Sequence, residues 1–184
     1  MASYVIEGGN SLKGEILVQG AKNEALQIIS ATLLTDQEVV VRNIPDILDV
    51  NNLIDLLRNM GVKVKRPTRD TCVFQADNVN LDYIKSEQFL EKSRALRGSV
   101  LLVGPLISRF GYAIFPKPGG DKIGRRRLDT HFTGIATLGA RCTYNEEKHC
   151  YEIYGDNLKG AYMLLDEASV TGTANVVMTA VLTP

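Results

Sequence analysis

"MGVKVKRPTRDTCVFQADNV", residues 60–79, decides the fold of this chain, because its pattern occurs a second time. "MGVKV" at 60–64 corresponds to "LGARC" at 138–142, and "FQADNV" at 74–79 corresponds to "IYGDNL" at 153–158. In each copy a glycine, a natural end for the amphipathic helix before it, is followed by two short strands. The period is about 75–79 residues, which indicates a chain built from repeated supersecondary units.

The elements on either side of this stretch recur in the same order. Helices that are apolar on nearly all sides are predicted at 24–35 and 96–107, and each precedes a strand, an amphipathic helix and two strands. The amphipathic helices are predicted at 48–60 and 128–138, and the strands at 4–7, 15–19, 38–42, 62–65, 71–76, 112–115, 140–144, 150–154 and 161–165. Another apolar helix, at 173–182, begins a third copy.

The apolar helices predict the fold class. A helix that is apolar on all sides is buried on most of them, so these helices belong in the interior. We therefore expect an α/β fold of the α+β type with apolar helices inside and sheets outside, made of two repeats and the start of a third. Ordinary doubly wound folds place the sheet in the middle instead.

Composition excludes several classes of protein. The 184 residues include 21 Lys+Arg and 21 Asp+Glu, so the net charge is zero, whereas a general nucleic-acid binder carries a basic excess. No apolar run is long enough for a membrane helix and no signal peptide is present, so we expect a cytoplasmic protein without membrane partners. Three cysteines without C-x-x-C spacing favour free thiols. A zinc site at Cys142, His149 and Cys150 is the weaker alternative, and we expect no metal.

Three polar segments precede the apolar helices and could bind anions. They are "QGAKNEAL" at 19–26, "LEKSRALRGSV" at 90–100 and "EASVTGTAN" at 167–175. Helix N-termini carry unpaired N–H groups and partial positive charge, and Lys22 adds a full charge. Ordinary helix caps, such as Asn23, are the alternative for each segment alone. Three equivalent helix starts that meet in one cleft would favour binding.

The loop "KPGGDKIGRRRLDTH" at 117–131 combines glycines, arginines and an acid. Gly119 and Gly120 allow close backbone approach, and arginine forks match phosphate or carboxylate. The loop matches neither G-x-x-x-x-G-K-[ST] nor G-x-G-x-x-G, and a solvated surface loop is the alternative. Among cations the pKa of Asp121 should fall, whereas next to a bound anion it should rise, so that Asp121 could donate a proton.

These motifs resemble the UDP-N-acetylglucosamine 1-carboxyvinyltransferase family of enolpyruvyl transferases, over essentially all 184 residues. "GAKNEAL" at 20–26, "PGGDKIGRRRLDTH" at 118–131 and "SVTGTAN" at 169–175 carry the resemblance. It implies an inside-out barrel of pseudo-symmetric βαβαββ repeats. It also implies transfer of the enolpyruvyl group of phosphoenolpyruvate to the 3′-hydroxyl of UDP-N-acetylglucosamine, with release of phosphate and without a cofactor.

The resemblance implies roles for individual residues. Lys22 and Asn23 would contact phosphoenolpyruvate, Arg97 the nucleotide sugar, and Arg126 phosphate charge. The uridine pocket would be lined by Arg127, Leu128, Asp129 and Thr130, with His131 adjoining, and the diphosphate would bind at Ala168, Ser169, Val170 and Thr171. Asp121 stands where most members have a cysteine that protonates C3 and reacts with fosfomycin, and Glu167 stands where many have lysine.

The resemblance also implies a larger protein, since the family's chain is more than twice as long. Residues 1–20 would belong to the other domain, and 21–184 would be an incomplete domain with repeats at about 21–90, 91–160 and 161–184. A missing C-terminal domain would complete the site, so we expect this chain alone to be inactive. The alternatives are a non-catalytic nucleotide-sugar or anion-binding fragment and a relative of the shikimate-pathway enolpyruvyl transferase.

Overall fold

The computed structural model describes residues 3–117 and 128–184. The helices within these ranges are α1 (Lys22–Ala31), α2 (Leu48–Asn59), α3 (Leu81–Ile84), α4 (Glu87–Ala95), α5 (Val103–Phe110), α6 (Asp129–Thr137) and α7 (Val170–Ala180). The strands are β1 (Glu38–Val41), β2 (Lys63–Thr68), β3 (Thr71–Gln75), β4 (Tyr112–Pro116), β5 (Arg141–Asn145) and β6 (Cys150–Tyr154). A 3-10 turn, Thr32–Leu34, continues α1, and a 3-10 segment, Arg97–Leu102, leads directly into α5.

The sheets confirm the repeat predicted from the sequence. β1-β3-β2 and β4-β6-β5 are two antiparallel sheets with the same strand order. Their registers correspond, since Val64 pairs with Phe74 in the first sheet and Cys142 pairs with Ile153 in the second. Each pair lies in one of the two corresponding stretches, 60–79 and 138–158, from which the period of the repeat was read.

A glycine in each copy explains why these two stretches have similar sequences. Gly61 and Gly139 both follow a helix and have positive φ angles of 94° and 96°. A Cβ atom at either position would overlap the carbonyl oxygen of Asn78 or Asn157, respectively, in the "DN" of the same repeat. The motif therefore encodes a close backbone crossing that only glycine permits.

The interior is made of helices, as predicted. The 3-10 segment and α5 are buried almost throughout and pack against both α1 and α7, which also contact each other. Pro105 lies in the first turn of α5, where a proline costs least, and the helix continues past the predicted end to Phe110. The three-stranded sheets lie outside these helices and do not close into a barrel within the described ranges.

A single side chain joins the ends of the first two inner helices. The guanidinium of Arg109 in α5 donates to the carbonyl oxygens of Leu33 at 2.8 Å and Thr35 at 2.9 Å. These carbonyls lie at the end of the first inner helix, where the helix itself supplies no donors. At the other end, Leu26 of α1 packs directly on Gly98, where a side chain would clash.

Three predicted strands are wrong. Residues 4–7, 15–19 and 161–165 are not strands in the structure, and their large apolar side chains are mostly exposed. A strand is stable only when its backbone groups pair with a neighbour, and these segments have none among the described residues. The observed unit is consequently αβαββ, with each sheet one strand short of the βαβαββ repeat.

Two short helices between the repeats were not predicted from the sequence. α3 begins at Asn80, whose side chain accepts from the N–H groups of Asp82 and Tyr83 at 3.0 Å. α4 begins at Ser86, whose hydroxyl accepts from the N–H of Phe89 at 3.2 Å. Both are side-chain caps of the ordinary kind, and both helices bury apolar residues against the core.

Candidate functional site

The start of α7 lies within the segment 167–175, which the sequence predicts to bind an anion. Ser169 is its N-cap, and its hydroxyl accepts from the N–H of Gly172 at 3.1 Å. Ala168 and Val170 beside it are exposed, and the preceding Glu167 is also exposed. The helix therefore presents its positive end to solvent with one N–H already satisfied by its cap.

His131 connects α6 to this helix start. The ring is only 3% exposed, and its Nε2 lies 3.3 Å from the hydroxyl of Thr171. Its Nδ1 lies 3.2 Å from the side-chain amide nitrogen of Asn175, one turn further along α7. His131 thus sits beneath the exposed helix start and contacts two residues of α7.

Burial keeps His131 uncharged. Removal of the ring from water and, as the smaller cause, the positive charge of Arg97 together lower the pKa of His131 to about 4. His131 of α6 and Thr171 of α7 are in contact, and the charge of Arg97, from the 3-10 segment, acts on the ring. They are three of the residues that the sequence analysis assigned to nucleotide-sugar binding.

The segment before α6 is also tied to α7. Thr130 donates from its hydroxyl to the carboxylate of Asp166 at 2.8 Å, in the loop that leads into α7. Leu128 is almost fully buried at the start of α6, whereas Asp129 in the first turn is exposed to solvent. Gly172 lies so close to Thr130 that a Cβ would crowd it, which holds the two helix starts in direct contact.

Arg94 and Arg97 have different environments, although both precede the second inner helix. Arg94 pairs with the carboxylate of Glu87 at 2.8 Å and donates to the carbonyl oxygen of Lys148 at 3.0 Å. It therefore links α4 to the β5–β6 hairpin. Arg97 is the first residue of the 3-10 segment, and its charge contributes to the lowered pKa of His131.

Lys22 and Asn23 occupy the first turn of α1. The helix begins two residues earlier than the cap interpretation required, because Ala21 and not Asn23 is the N-cap, and Asn23 lies within the helix. Asn23 is exposed, so its side chain is available to a ligand. The ammonium of Lys22 forms an ion pair with Asp49 in the first turn of α2, and both groups are partly exposed.

Gly119, Gly120, Asp121 and the three arginines Arg125, Arg126 and Arg127 lie outside the described residues.

An apolar groove of about 720 Å³ lies between α1 and α7. We call it the α1–α7 groove, and its walls are formed by Gln27, Ile28, Ala31, Ala168, Ser169, Val170, Thr173, Ala174, Val177 and Met178. Nearly all of these side chains are apolar, and none is charged. The groove is suited to a hydrophobic helix face and not to a phosphate.

In residues 3–117 and 128–184, no group of three or more histidine, cysteine or acidic side chains is arranged to hold a metal ion. Cys72, Cys142 and Cys150 are free thiols. Burial raises the pKa of each thiol, most of all through loss of water around the sulfur. Across the same ranges no helix is long and apolar enough to cross a membrane.

The buried histidine should make stability depend on pH. An unfolded histidine has a pKa of about 6.5, so between about pH 6.5 and pH 4 the unfolded chain binds more protons than the folded chain. The free energy of unfolding should therefore fall as pH falls, by up to about 3 kcal/mol from His131. Urea unfolding at a series of pH values should show that the free energy of unfolding falls less steeply with decreasing pH in His131→Gln than in wild type. His149→Gln, at an exposed site, is the control, and an unchanged slope for His131→Gln would contradict the assignment.

A family model described as EPSP synthase (3-phosphoshikimate 1-carboxyvinyltransferase) matches residues 6–184. The chain belongs to this family. The helix starts and the inner helices described above all lie within the matched range. The recognition of an enolpyruvyl transferase from its motifs is thereby confirmed.

Two relatives within the family carry a more specific name. The chain is 88% identical over 182 residues to "UDP-N-acetylglucosamine 1-carboxyvinyltransferase" of Porphyromonas gingivalis and 66% identical over 182 residues to that of Bacteroides fragilis. Each alignment covers 99% of this chain and 42% of the relative. The chain thus spans about two fifths of the length of the relatives it matches.

Solved structures of the family have the same fold. The enolpyruvyl transferase NikO from Streptomyces tendae superposes with a TM-score of 0.76 at 18% identity, and EPSP synthase from Acinetobacter baumannii with 0.66 at 19%. Each covers 96% of this chain and 40% of the solved chain. At this identity the likeness concerns the fold alone.

Two acidic partners in the candidate site were missed by the sequence analysis. Asp49 pairs with Lys22, and Asp166 accepts from Thr130. Asp49 has the ordinary signature of an acid in the first turn of a helix, which does not reveal a partner on another helix. Asn175 ends the polar segment 167–175, which the sequence predicts to bind an anion, whereas in the structure it is fully buried.

Proposed function

We propose that this chain is part of a UDP-N-acetylglucosamine 1-carboxyvinyltransferase. The whole protein transfers the enolpyruvyl group of phosphoenolpyruvate to the 3′-hydroxyl of UDP-N-acetylglucosamine. The sugar oxygen attacks C2, C3 gains a proton, and the tetrahedral intermediate then loses phosphate and the C3 proton. The observation that carries the proposal is the 88% identity over 182 residues to a relative of that name, across every predicted site segment.

In this proposal the α7 start binds the diphosphate of the nucleotide sugar. Ala168, Ser169, Val170 and Thr171 supply backbone N–H groups and a hydroxyl at the positive end of the helix, which is a favourable place for phosphate. Arg97 adds a full positive charge beside His131. Leu128, Asp129 and Thr130, together with Arg127, would border the uridine.

Phosphoenolpyruvate is assigned to the start of α1 and to the 117–131 loop. Lys22 would exchange its contact with Asp49 for the phosphate or carboxylate of the substrate, and Asn23 is exposed beside it. Arg126 would stabilise phosphate charge in the transition state, and Asp121 would protonate C3. Bound phosphate close to Asp121 would raise its pKa into the range that a proton donor needs.

The α1–α7 groove supports an incomplete third repeat at about 161–184. In the first repeat, α2 covers the seam between α1 and the 3-10 segment, and α6 of the second repeat packs against α7 of the third. The groove is the remaining seam between inner helices, so the second helix of the third repeat would fill it. The exposed apolar side chains of residues 3–20 likewise favour their assignment to another domain.

Phosphate release tests the proposal. A full-length protein that contains this chain should release phosphate from phosphoenolpyruvate when UDP-N-acetylglucosamine is added, and should release none when the sugar is omitted. The 184-residue chain alone should release none, since half the site is absent. Activity with shikimate 3-phosphate in place of the nucleotide sugar would favour the shikimate-pathway alternative.

A full-length protein that binds the nucleotide sugar in calorimetry but releases no phosphate would instead favour the non-catalytic alternative. The proposed reaction uses soluble metabolites and needs no cofactor, metal, nucleic acid or membrane. We accordingly assign it to the cytoplasm, as the first committed step of peptidoglycan precursor synthesis.

A further inference from the structure

We propose that Asn175 is a positioning residue, which sets the tautomer of His131 and thereby makes the hydroxyl of Thr171 a hydrogen-bond donor toward the mouth of the site. The identity of the acceptor as a phosphate oxygen of the nucleotide sugar rests on the proposed function. The tautomer itself follows from the geometry of four groups in the described core. The inference assigns a role to a buried residue on the side of α7 that faces away from the ligand.

The backbone of the second inner helix fixes the orientation of the Asn175 amide. Asn175 is 0% exposed, and its Oδ1 accepts from the N–H of Gly104 at 2.8 Å. Its Nδ2 donates to the carbonyl oxygen of Val100 at 3.0 Å. A flipped amide would place two donors together at Gly104 and two acceptors together at Val100, so only one orientation is satisfied.

That orientation leaves one N–H of Asn175 directed at His131. The distance from Nδ2 to Nδ1 of the ring is 3.2 Å, and a donor at this position requires Nδ1 to be the unprotonated, accepting nitrogen. The buried ring is neutral, since burial lowers the pKa of His131 to about 4. A neutral imidazole carries one proton, which must therefore be on Nε2.

The proton on Nε2 decides what Thr171 offers to a ligand. Nε2–H donates to the Thr171 hydroxyl oxygen at 3.3 Å, so that the hydroxyl hydrogen is not used in this contact. With the opposite tautomer, Thr171 would donate its hydrogen to Nε2 and would present only lone pairs elsewhere. Asn175 thus selects between a donor and an acceptor at a half-buried position in the first turn of α7.

A donor in this position matches a ligand group that only accepts hydrogen bonds. Phosphate oxygens are such acceptors, and the positive end of α7 favours their charge. The close packing of Gly172 on Thr130 keeps the first turn of α7 fixed relative to the ring. The donor is consequently oriented before the ligand arrives, which reduces the entropy lost on binding.

The tautomer can be measured directly by nitrogen NMR of the histidine rings. The chain contains only two histidines, so His149→Gln assigns the signals of His131 without ambiguity. At pH 7 we expect Nδ1 of His131 to resonate as an unprotonated nitrogen and Nε2 as a protonated one. A protonated Nδ1 in the wild-type chain would overturn the proposal, whatever the protein binds.

Asn175→Asp tests whether Asn175 is the residue that sets the tautomer. The carboxylate keeps an acceptor for the N–H of Gly104 but has no N–H to give His131, so Nδ1 should become protonated. A histidine whose Nδ1 stays unprotonated in this variant contradicts the role of Asn175. If the variant does not fold, the wild-type spectrum still tests the tautomer of His131, and substitutions of Thr171 still test the hydroxyl donor.

Thr171→Val and Thr171→Ser form a matched pair for the donor itself. In the full-length protein, removal of a hydrogen bond to a charged phosphate should weaken binding of UDP-N-acetylglucosamine by roughly tenfold or more, whereas serine should retain most of the affinity. Equal affinities of Thr171→Val and wild type for UDP-N-acetylglucosamine would refute the role of Thr171 as a hydrogen-bond donor. Absence of binding in wild type would instead count against the proposed function, and the NMR result would still test the tautomer.

Discussion

Replacement of Asp121 by cysteine should convert a fosfomycin-resistant enzyme into a sensitive one. The resemblance implies that fosfomycin, an epoxide, alkylates the cysteine that most members carry at this position, and a carboxylate is a much weaker nucleophile than a thiolate. The wild-type full-length protein should therefore keep its activity at inhibitor concentrations that inactivate Asp121→Cys. The inactivation rate constant of the variant should exceed that of wild type by on the order of a hundredfold or more.

The same position allows a second measurement that separates nucleophile from acid. Asp121→Asn cannot donate a proton at C3, so kcat should fall by about 10²–10⁴-fold, while Asp121→Cys should retain turnover. Mass spectrometry of the treated Asp121→Cys protein should locate a single adduct at residue 121. Rapid inactivation of the wild-type enzyme by fosfomycin would contradict this assignment.

Lys22→Ala should cost about 10²–10³-fold in kcat/KM for phosphoenolpyruvate. Lys22 is the cation at the start of α1, and removal of one stabilising charge from a developing transition state has effects of this size. Its exposed ion pair with Asp49 contributes at most about 1 kcal/mol to folding, so the variant should remain folded. Steady-state kinetics with phosphoenolpyruvate as the varied substrate gives the measurement.

Lys63→Ala is the matched control for this experiment. Lys63 is also a partly exposed lysine paired with one aspartate, Asp77, but it lies on β2 far along the chain from any predicted site segment. Its removal should leave kcat/KM unchanged. If Lys22→Ala and Lys63→Ala have the same kinetics, Lys22 has no role in catalysis.

The repeat could be predicted from the sequence because the same backbone conformation restricts the residue type at matching positions of both copies. A positive φ beside a close carbonyl demands glycine, so Gly61 and Gly139 stand at matching places. The missing strands could not be predicted in the same way. Residues 15–19, EILVQ, have the apolar and β-branched composition of a strand, but whether they form one depends on a partner strand that the pattern does not contain.

The site was predictable only in outline. The resemblance assigned His131 and Thr171 to the same ligand, yet nothing in their spacing says that they contact each other, since they are 40 positions apart. The side of α7 that faces the core was also undetermined, because small and apolar residues surround the helix. Asn175 could therefore be identified as buried only after the packing of α7 on α5 was known.

The contact made by Arg109 has a consequence for the order in which the chain folds during synthesis. It satisfies carbonyls 76 and 74 positions earlier, so the first repeat is incomplete until the inner helix of the second repeat has left the ribosome. Such distant contacts raise contact order and slow folding. The apolar face of the nascent first repeat therefore stays exposed until that helix is available. This exposure makes the nascent repeat a candidate for chaperone protection, despite its regular, modular sequence.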